Sequence, residues 1–125
     1  MEFKIVEILD LNKAINELAD MKLNTILAYK IARIRKKLQE EVTTIEENRT
    51  QLIMPYIKKD ENDEPIIDNG IYEVIEETRK ELTDKLNEFF GTEIKIELPT
   101  LQLKELESIE LTPKQIEALM KIIEE

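Results

Sequence analysis

One stretch decides the fold of this chain, NTILAYKIARIRKKLQEEVTTIEENRTQLIM (residues 24–54). Its apolar residues recur in steps of three, four or seven, at Leu27, Ile31, Ile34, Leu38, Val42, Ile45 and Leu52. That spacing keeps one apolar stripe on one face of an α-helix. Asn24 suits an N-cap, and Pro55 ends the helix because it has no N–H group to donate. The stretch therefore predicts a long amphipathic helix over 24–54.

Shorter patterns flank this helix. Alternating apolar residues predict a strand over 2–9, and a short helix follows over 12–20. Beyond Pro55 the polar stretch YIKKDENDEPIIDNG contains many turn residues. Its Tyr56-Ile57 and Ile66-Ile67 pairs flank an acidic turn, and they predict a short hairpin.

The C-terminal part carries three further patterns. A second amphipathic helix is predicted over 71–90, with Gly91 as a left-handed C′ residue. Strict alternation in EIKIEL predicts a strand over 93–98, with Ile94 and Ile96 facing the helices. The remaining elements are a third strand over 100–103 or 109–111 and, after the start signal Thr112-Pro113, a helix over 113–124.

These elements predict a single α+β domain over 1–125. Its central part, 24–90, is expected to be an antiparallel helical hairpin of 24–54 against 71–90. A small antiparallel sheet and a C-terminal helix, from 1–23 plus 91–125, complete the domain. Because the second helix is shorter than the first, part of the long stripe is expected to lack a partner and to be covered by another copy of the chain.

Composition excludes several kinds of chemistry. The chain has no cysteine and no histidine, so it has no thiolate or imidazole ligand, nucleophile or base. Adjacent acids such as Glu46 and Glu47 fall on exposed helix faces and are interpreted as solvated charge. Asp60, Asn62 and Glu64 alternate as in a calcium-binding EF-hand loop, but the required glycine and the final glutamate are missing. We therefore expect no enzyme activity, no catalytic or metal-binding residues and no cofactor.

Net charge and hydropathy limit the partners. The formal charge of −10 makes general nucleic-acid binding improbable, because affinity for phosphates comes from lysine and arginine. No apolar run approaches the roughly 20 residues that span a bilayer. The acidic start MEFKIVEIL does not resemble a signal peptide. These features predict a cytoplasmic protein without a membrane partner.

The positive charge is concentrated in one block. Between Met21 and Gln39 there is no acid, and the six basic residues are Lys22, Lys30, Arg33, Arg35, Lys36 and Lys37. The rest of the chain carries a net charge of −16. The candidate binding residues are Lys30, Arg33, Lys36 and Lys37, which lie beside or opposite the apolar stripe.

Two interpretations of this block stay open. It binds a phosphate, an acidic partner or the acidic helix of another copy, or it pairs with acids of its own chain. In the second case the expected partners come from the helix predicted over 71–90, and they are Glu73, Glu76, Glu77, Glu81 and Asp84.

Three segments carry a resemblance to a known family. They are KLNTILAYKIARIRKKLQEE…ENRTQLIMPYIKKDENDEPI (22–66), ELTDKLNEFFGTEIKIELPTL (81–101) and ESIELTPKQIEALMKIIEE (107–125). Together they resemble an uncharacterised family of small phage and prophage proteins, in which glycine usually follows the D-E-N turn where this chain has Asp63. The resemblance implies a phage accessory protein made in a bacterial host, and it implies no particular activity or functional residue.

We accordingly expect a non-catalytic phage protein that acts through protein–protein interaction and forms homo-oligomers, with a host or phage protein as a further partner. One alternative is sequestration of a small anionic ligand, such as a nucleotide, to counter host defence. Another is an acidic decoy that mimics DNA.

Overall fold

The computed structural model, which describes all of residues 1–125, confirms an α+β fold built on one long helix. This helix, α2, spans Thr25–Ile53, close to the predicted 24–54. The Asn24 side chain accepts a hydrogen bond from the Leu27 N–H at 3.0 Å, so the predicted cap is present. Beyond Ile53 the chain tightens into a 3₁₀ turn that contains Pro55. No helix in the chain combines the length and the apolar character that crossing a membrane requires.

The N-terminal strand is shorter than predicted and the first helix is longer. Strand β1 covers only Glu2–Lys4, and helix α1 covers Ile5–Ala19. The strand predicted over 2–9 is confirmed only for residues 2–4, because the apolar residues from Ile5 onward recur every three or four positions, as a helix requires. Glu7 then fixes the start of the helix, since its carboxylate accepts the backbone N–H of Lys4 at 2.8 Å.

Helix α1 is the principal partner of α2. The short connection 20–24 folds the chain back, as is usual for antiparallel helix neighbours. Asn16 Oδ1 on α1 accepts a hydrogen bond from Arg35 Nε on α2 at 2.8 Å. The expected hairpin of 24–54 against 71–90 is present in part, because the helical residues 79–90 contact α2, but the hairpin of α1 and α2 is the more extensive one.

The apolar stripe of α2 is covered within the chain. Five of its residues are fully buried, namely Leu27, Ile31, Ile34, Leu38 and Ile45, while Val42 and Leu52 are half-buried. The expectation of an unpartnered stripe was wrong, because it did not count α1 as a partner. Self-association through this stripe therefore has no exposed surface to drive it.

A small β-arm, residues 57–75, projects between α2 and the next helix. Strands β2 (Ile67–Asp68) and β3 (Ile71–Tyr72) pair antiparallel around Asn69-Gly70. Both turn residues have positive φ, 53° and 79°, as a tight two-residue hairpin requires. The hairpin predicted around the acidic turn is also present, because the Ile66 N–H donates to the Lys58 carbonyl at 2.9 Å.

This arm explains why the second helix begins later than predicted. Helix α3 spans Arg79–Phe90 after a 3₁₀ turn at Glu76–Thr78, whereas the sequence predicted a helix over 71–90. The Asn69-Gly70 turn pairs residues 71 and 72 with the preceding strand, so they cannot join a helix. Gly91 has φ −86°, so it is not the left-handed residue that was predicted.

Two further small sheets organise the termini. Strand β4 (Glu93–Lys95) pairs antiparallel with β1, as predicted, and places Phe3 opposite Ile94. Ile94 and Ile96 pack against the core, while Lys95 and Glu97 are exposed, which confirms the predicted facing. Strand β5 (Leu101–Gln102) does not join this sheet; it pairs parallel with β6 (Ile123–Glu124).

The C-terminal helix α4 covers Pro113–Leu119 and packs on α1. Its predicted start is confirmed, because Thr112 Oγ1 accepts the Gln115 N–H at 3.2 Å. The helix is shorter than the predicted 113–124, since a 3₁₀ turn at Met120–Ile122 leads into β6. Parallel pairing with β5 takes up the residues that would have continued the helix.

We predict that Leu38→Ala lowers the free energy of unfolding by about 2–5 kcal/mol, because Leu38 is fully buried in the core that α1 and α2 share. Glu40→Ala, an exposed change two residues away on the opposite face of the helix, should alter it by less than about 0.5 kcal/mol. Urea denaturation followed by circular dichroism measures both. Equal effects of the two substitutions would contradict the placement of the stripe.

The two glycines should respond oppositely to alanine. At Gly70, whose φ is 79°, alanine is expected to cost about 1 kcal/mol or more through backbone strain. At Gly91 the backbone is already right-handed, and a Cβ would come no closer than 3.4 Å to its neighbours. Alanine there should be neutral or should stabilise by about 0.4–1 kcal/mol. A loss of stability in Gly91→Ala and none in Gly70→Ala, in thermal melts, would contradict these turn conformations.

Candidate functional site

The flank of α2 beside the buried stripe carries the candidate binding residues, and Lys30 is the first of them. Its Nζ lies 2.8 and 3.0 Å from the two carboxylate oxygens of Glu105. Glu105 Oε1 also accepts the backbone N–H of Gln102 at 2.8 Å. These two contacts, the Lys30 ammonium first, hold the pKa of the Glu105 carboxyl below its ordinary value. Lys30 thus fastens the segment after β5 to the long helix.

Lys37 has a similar structural contact. Its Nζ donates to the backbone carbonyl of Glu97 at 3.0 Å. The Glu97 side chain in turn accepts the amino group of Met1 at 2.7 Å, and that amino group lowers the pKa of the Glu97 carboxyl. Lys37 therefore ties the end of the β1–β4 sheet to α2. Two of the four candidate residues are used in holding the C-terminal part of the chain in place.

The acids that the sequence analysis named as partners do not meet the block. Glu76 pairs with Arg79 at 3.2 Å, within its own turn. Glu81 accepts the hydroxyl of Tyr56 at 3.1 Å, and burial together with the Glu81 carboxylate raises the pKa of Tyr56. The prediction that 71–90 supplies the partners was wrong, because α1 and the 97–105 segment occupy the positions beside the block.

Arg33 and Lys36 differ from the other two candidates. Both side chains are exposed, and neither forms a hydrogen bond or an ion pair in the structure. The Arg33 guanidinium lies 5.9 Å from the ring centroid of Tyr29, in reach of a cation–π contact. Tyr29 and Ile26 are among the most exposed large apolar side chains of the chain, at 64% and 69%.

These residues form one continuous surface, called here the basic strip, made of Ile26, Tyr29, Arg33 and Lys36. Their spacings of three and four residues place them on one face of α2, turned away from the buried stripe. Of these four residues, only the two cations were candidates from the sequence. The sequence does contain a signal for the other two, because Ile26 and Tyr29 are apolar but fall outside the three- and four-residue spacing of the buried stripe.

A groove of about 640 Å³ lies between α1 and α4. Its charges largely neutralise one another: Lys121 Nζ lies 3.0 Å from Glu7 and 5.2 Å from the Phe3 ring centroid. The pKa of Glu7 is lowered, chiefly by the backbone N–H of Lys4 and then by Lys121.

In the acidic turn at residues 60–64, Asp60 Oδ1 accepts hydrogen bonds from the N–H groups of Asn62 and Glu64 at 2.9 and 3.0 Å. This carboxylate therefore stabilises the turn.

Comparison with models of protein families, with curated proteins and with solved structures finds no match to this chain. The basic strip is therefore interpreted from its own geometry alone.

We predict that Glu105→Gln lowers the free energy of unfolding by about 1 kcal/mol at neutral pH, because Lys30 loses a charged partner at a half-buried position. The folded pKa of Glu105 is lowered, so its contribution is present above the unfolded pKa of about 4.3 and is lost as the pH falls through the folded value. The variant should accordingly lose less stability than the parent on acidification below pH ~4.3. A difference in the free energy of unfolding between parent and variant that stays the same at every pH would contradict the Lys30–Glu105 contact.

Proposed function

We propose that this chain is a non-catalytic interaction protein that binds an acidic protein partner through the basic strip. The observation that carries the proposal is that only two of the four candidate cations are used in contacts within the fold. Lys30 and Lys37 are used by the fold, whereas Arg33 and Lys36 keep free charges beside two exposed apolar side chains. Exposed apolar surface next to unpaired charge favours association with a surface of opposite sign.

The composition of the strip suits a protein interface. Tyrosine and arginine are the residue types that most often dominate binding energy, because each combines a large contact area with polar recognition. Covering an exposed Ile or Tyr side chain contributes roughly 1.5–3 kcal/mol. The Tyr29 ring also restricts the Arg33 side chain, so less conformational entropy is lost when the guanidinium pairs with a carboxylate.

The pKa directions support a non-catalytic role. The three carboxyl groups with shifted pKa values, Glu7, Glu97 and Glu105, are all shifted downwards by hydrogen bonds to cationic or backbone donors. A carboxyl that acts as a general acid near neutral pH needs the opposite shift. These groups serve as structural anions.

The phage origin and the cytoplasmic location expected from the sequence are part of this proposal. A phage accessory protein in the bacterial cytoplasm is what the family resemblance implies, and it accords with the interaction role. Sequestration of a small anion uses the same two cations, but small ligands are usually held in concave sites. The strip lies on the outer face of a single helix, which suits a protein surface better.

The proposal is tested by photocrosslinking in bacterial lysate. A photoreactive benzoylphenylalanine at position 29 keeps an aromatic ring beside Arg33 and should form an adduct with a protein segment rich in carboxylates. Adding Arg33→Gln and Lys36→Gln should remove this adduct and leave the melting temperature unchanged, since neither side chain has a hydrogen-bond or ion-pair partner in the fold.

The matched control is Lys80→Gln with Lys85→Gln, which removes two exposed charges from α3. It should leave the adduct intact. The proposal is wrong if the adduct contains nucleotide or nucleic acid, or if it persists without the Arg33 and Lys36 charges.

A further inference from the structure

The β-arm carries a second surface with unpaired charge. Lys58 donates its N–H to Glu73 at 2.8 Å and its carbonyl accepts from Ile66, so three segments pair into one arm. The arm holds six acids and two lysines. Ile71 at its tip is the most exposed large apolar residue of the chain, at 72%.

Strand register groups part of this arm into what is called here the acidic face, made of Ile66, Asp68, Ile71 and Glu73. Asp68 lies opposite Ile71, and the Glu73 N–H donates to the Ile66 carbonyl at 3.0 Å. Residues two apart on a strand point to the same side, so the four share one side of the arm. Lys58, which lies opposite Ile66 and Glu73, belongs to the same side, so the face carries two acids and one base. The Asp68 and Glu73 side chains form no hydrogen bond or ion pair within the chain.

We infer that the partner of the basic strip is the acidic face of a second copy of this chain. This inference rests on the proposed function and identifies the acidic protein that the basic strip binds. Each surface carries two apolar side chains and two charges without a hydrogen-bond or ion-pair partner in the fold. The charges of the strip are positive; those of the acidic face are negative and lie with Lys58 in an arm of six acids and two lysines. Pairing them covers Ile26 and Tyr29 with Ile66 and Ile71 while it neutralises four charges.

The two surfaces of one chain cannot meet. From Arg33 to Tyr56, where the arm begins, α2 extends over about 35 Å at 1.5 Å per residue. Folded back along the helix, the arm from Val74 to Asn69 reaches only about 17 Å. The contact is therefore between different copies. Two copies can make it reciprocally in a closed two-fold dimer, or each copy can contact the next in a ring or an open chain.

Charge reversal tests the inference. The unmodified protein should associate in a concentration-dependent way at low salt, and added salt should weaken this association. Arg33→Glu with Lys36→Glu should weaken it about a hundredfold or more, because strip and arm then carry the same sign. Asp68→Lys with Glu73→Lys should do the same.

A mixture of these two double variants should associate again, because each restores the opposite sign for the other. A symmetric contact of α2 with α2 predicts instead that the Asp68→Lys with Glu73→Lys variant alone associates like the parent, because that variant leaves α2 unchanged. Lys80→Glu with Lys85→Glu changes the net charge by the same amount as the strip variant and should associate like the parent. Sedimentation velocity measures every sample, and circular dichroism checks the fold. If the arm variant does not fold, Ile71→Ser replaces it and should weaken association of the otherwise unmodified protein.

A parent protein that stays monomeric at high micromolar concentration overturns the inference, as does a mixture that fails to associate. These outcomes differ from failure of the proposed function. If the parent is monomeric and the position-29 probe still captures a different acidic protein through Arg33 and Lys36, the interaction role stands and only the partner is wrong.

Discussion

Burial of the α2 stripe is the constraint on which the rest of the structure depends. All 19 buried residues of the chain are apolar, and 17 of them form one cluster that draws on both α1 and α2. A core without buried polar residues supplies cohesion but little directional information. The position of the C-terminal part relative to α2 is therefore specified by contacts at the rim, above all the Lys30–Glu105 pair and the Lys37 contact with Glu97.

Where sequence patterns were long or chemically specific, they predicted the fold well. The period of α2 runs over many turns, and Asn24 and Pro55 mark its ends, so its bounds were close to those observed. The Thr112-Pro113 start and the facing of Ile94 and Ile96 were also recovered. Each of these depends on neighbouring residues only, which is the information that a sequence pattern contains.

Short elements were predicted less well, because several patterns competed over the same residues. Phe3 and Ile5 fit a strand, yet the residues from Ile5 onward fit a helix better, and the structure changes from one to the other at Lys4. Residues 71–78 fit the start of a helix, but the Asn69-Gly70 turn requires a hairpin. The strand β6 forms only because β5 lies beside it, and no local signal reveals that neighbour.

The candidate site was also predicted only in part, because its contacts involve residues far apart in the sequence. Sequence alone located the cationic block, but it could not separate Lys30 and Lys37 from Arg33 and Lys36, because Glu105 and Glu97 lie 75 and 60 residues further along the chain.

The exposed apolar residues become informative once the structure shows that Lys30 and Lys37 hold the fold together, because two of them lie beside the remaining cations, Arg33 and Lys36. Single exposed apolar residues are common on monomers. Here, however, five of the nine large ones, Ile26, Tyr29, Ile67, Ile71 and Tyr72, lie on the basic strip or on the arm. The long helix separates these two surfaces, so the uneven charge of the sequence becomes an uneven charge in space, positive near one end of α2 and negative beyond the other.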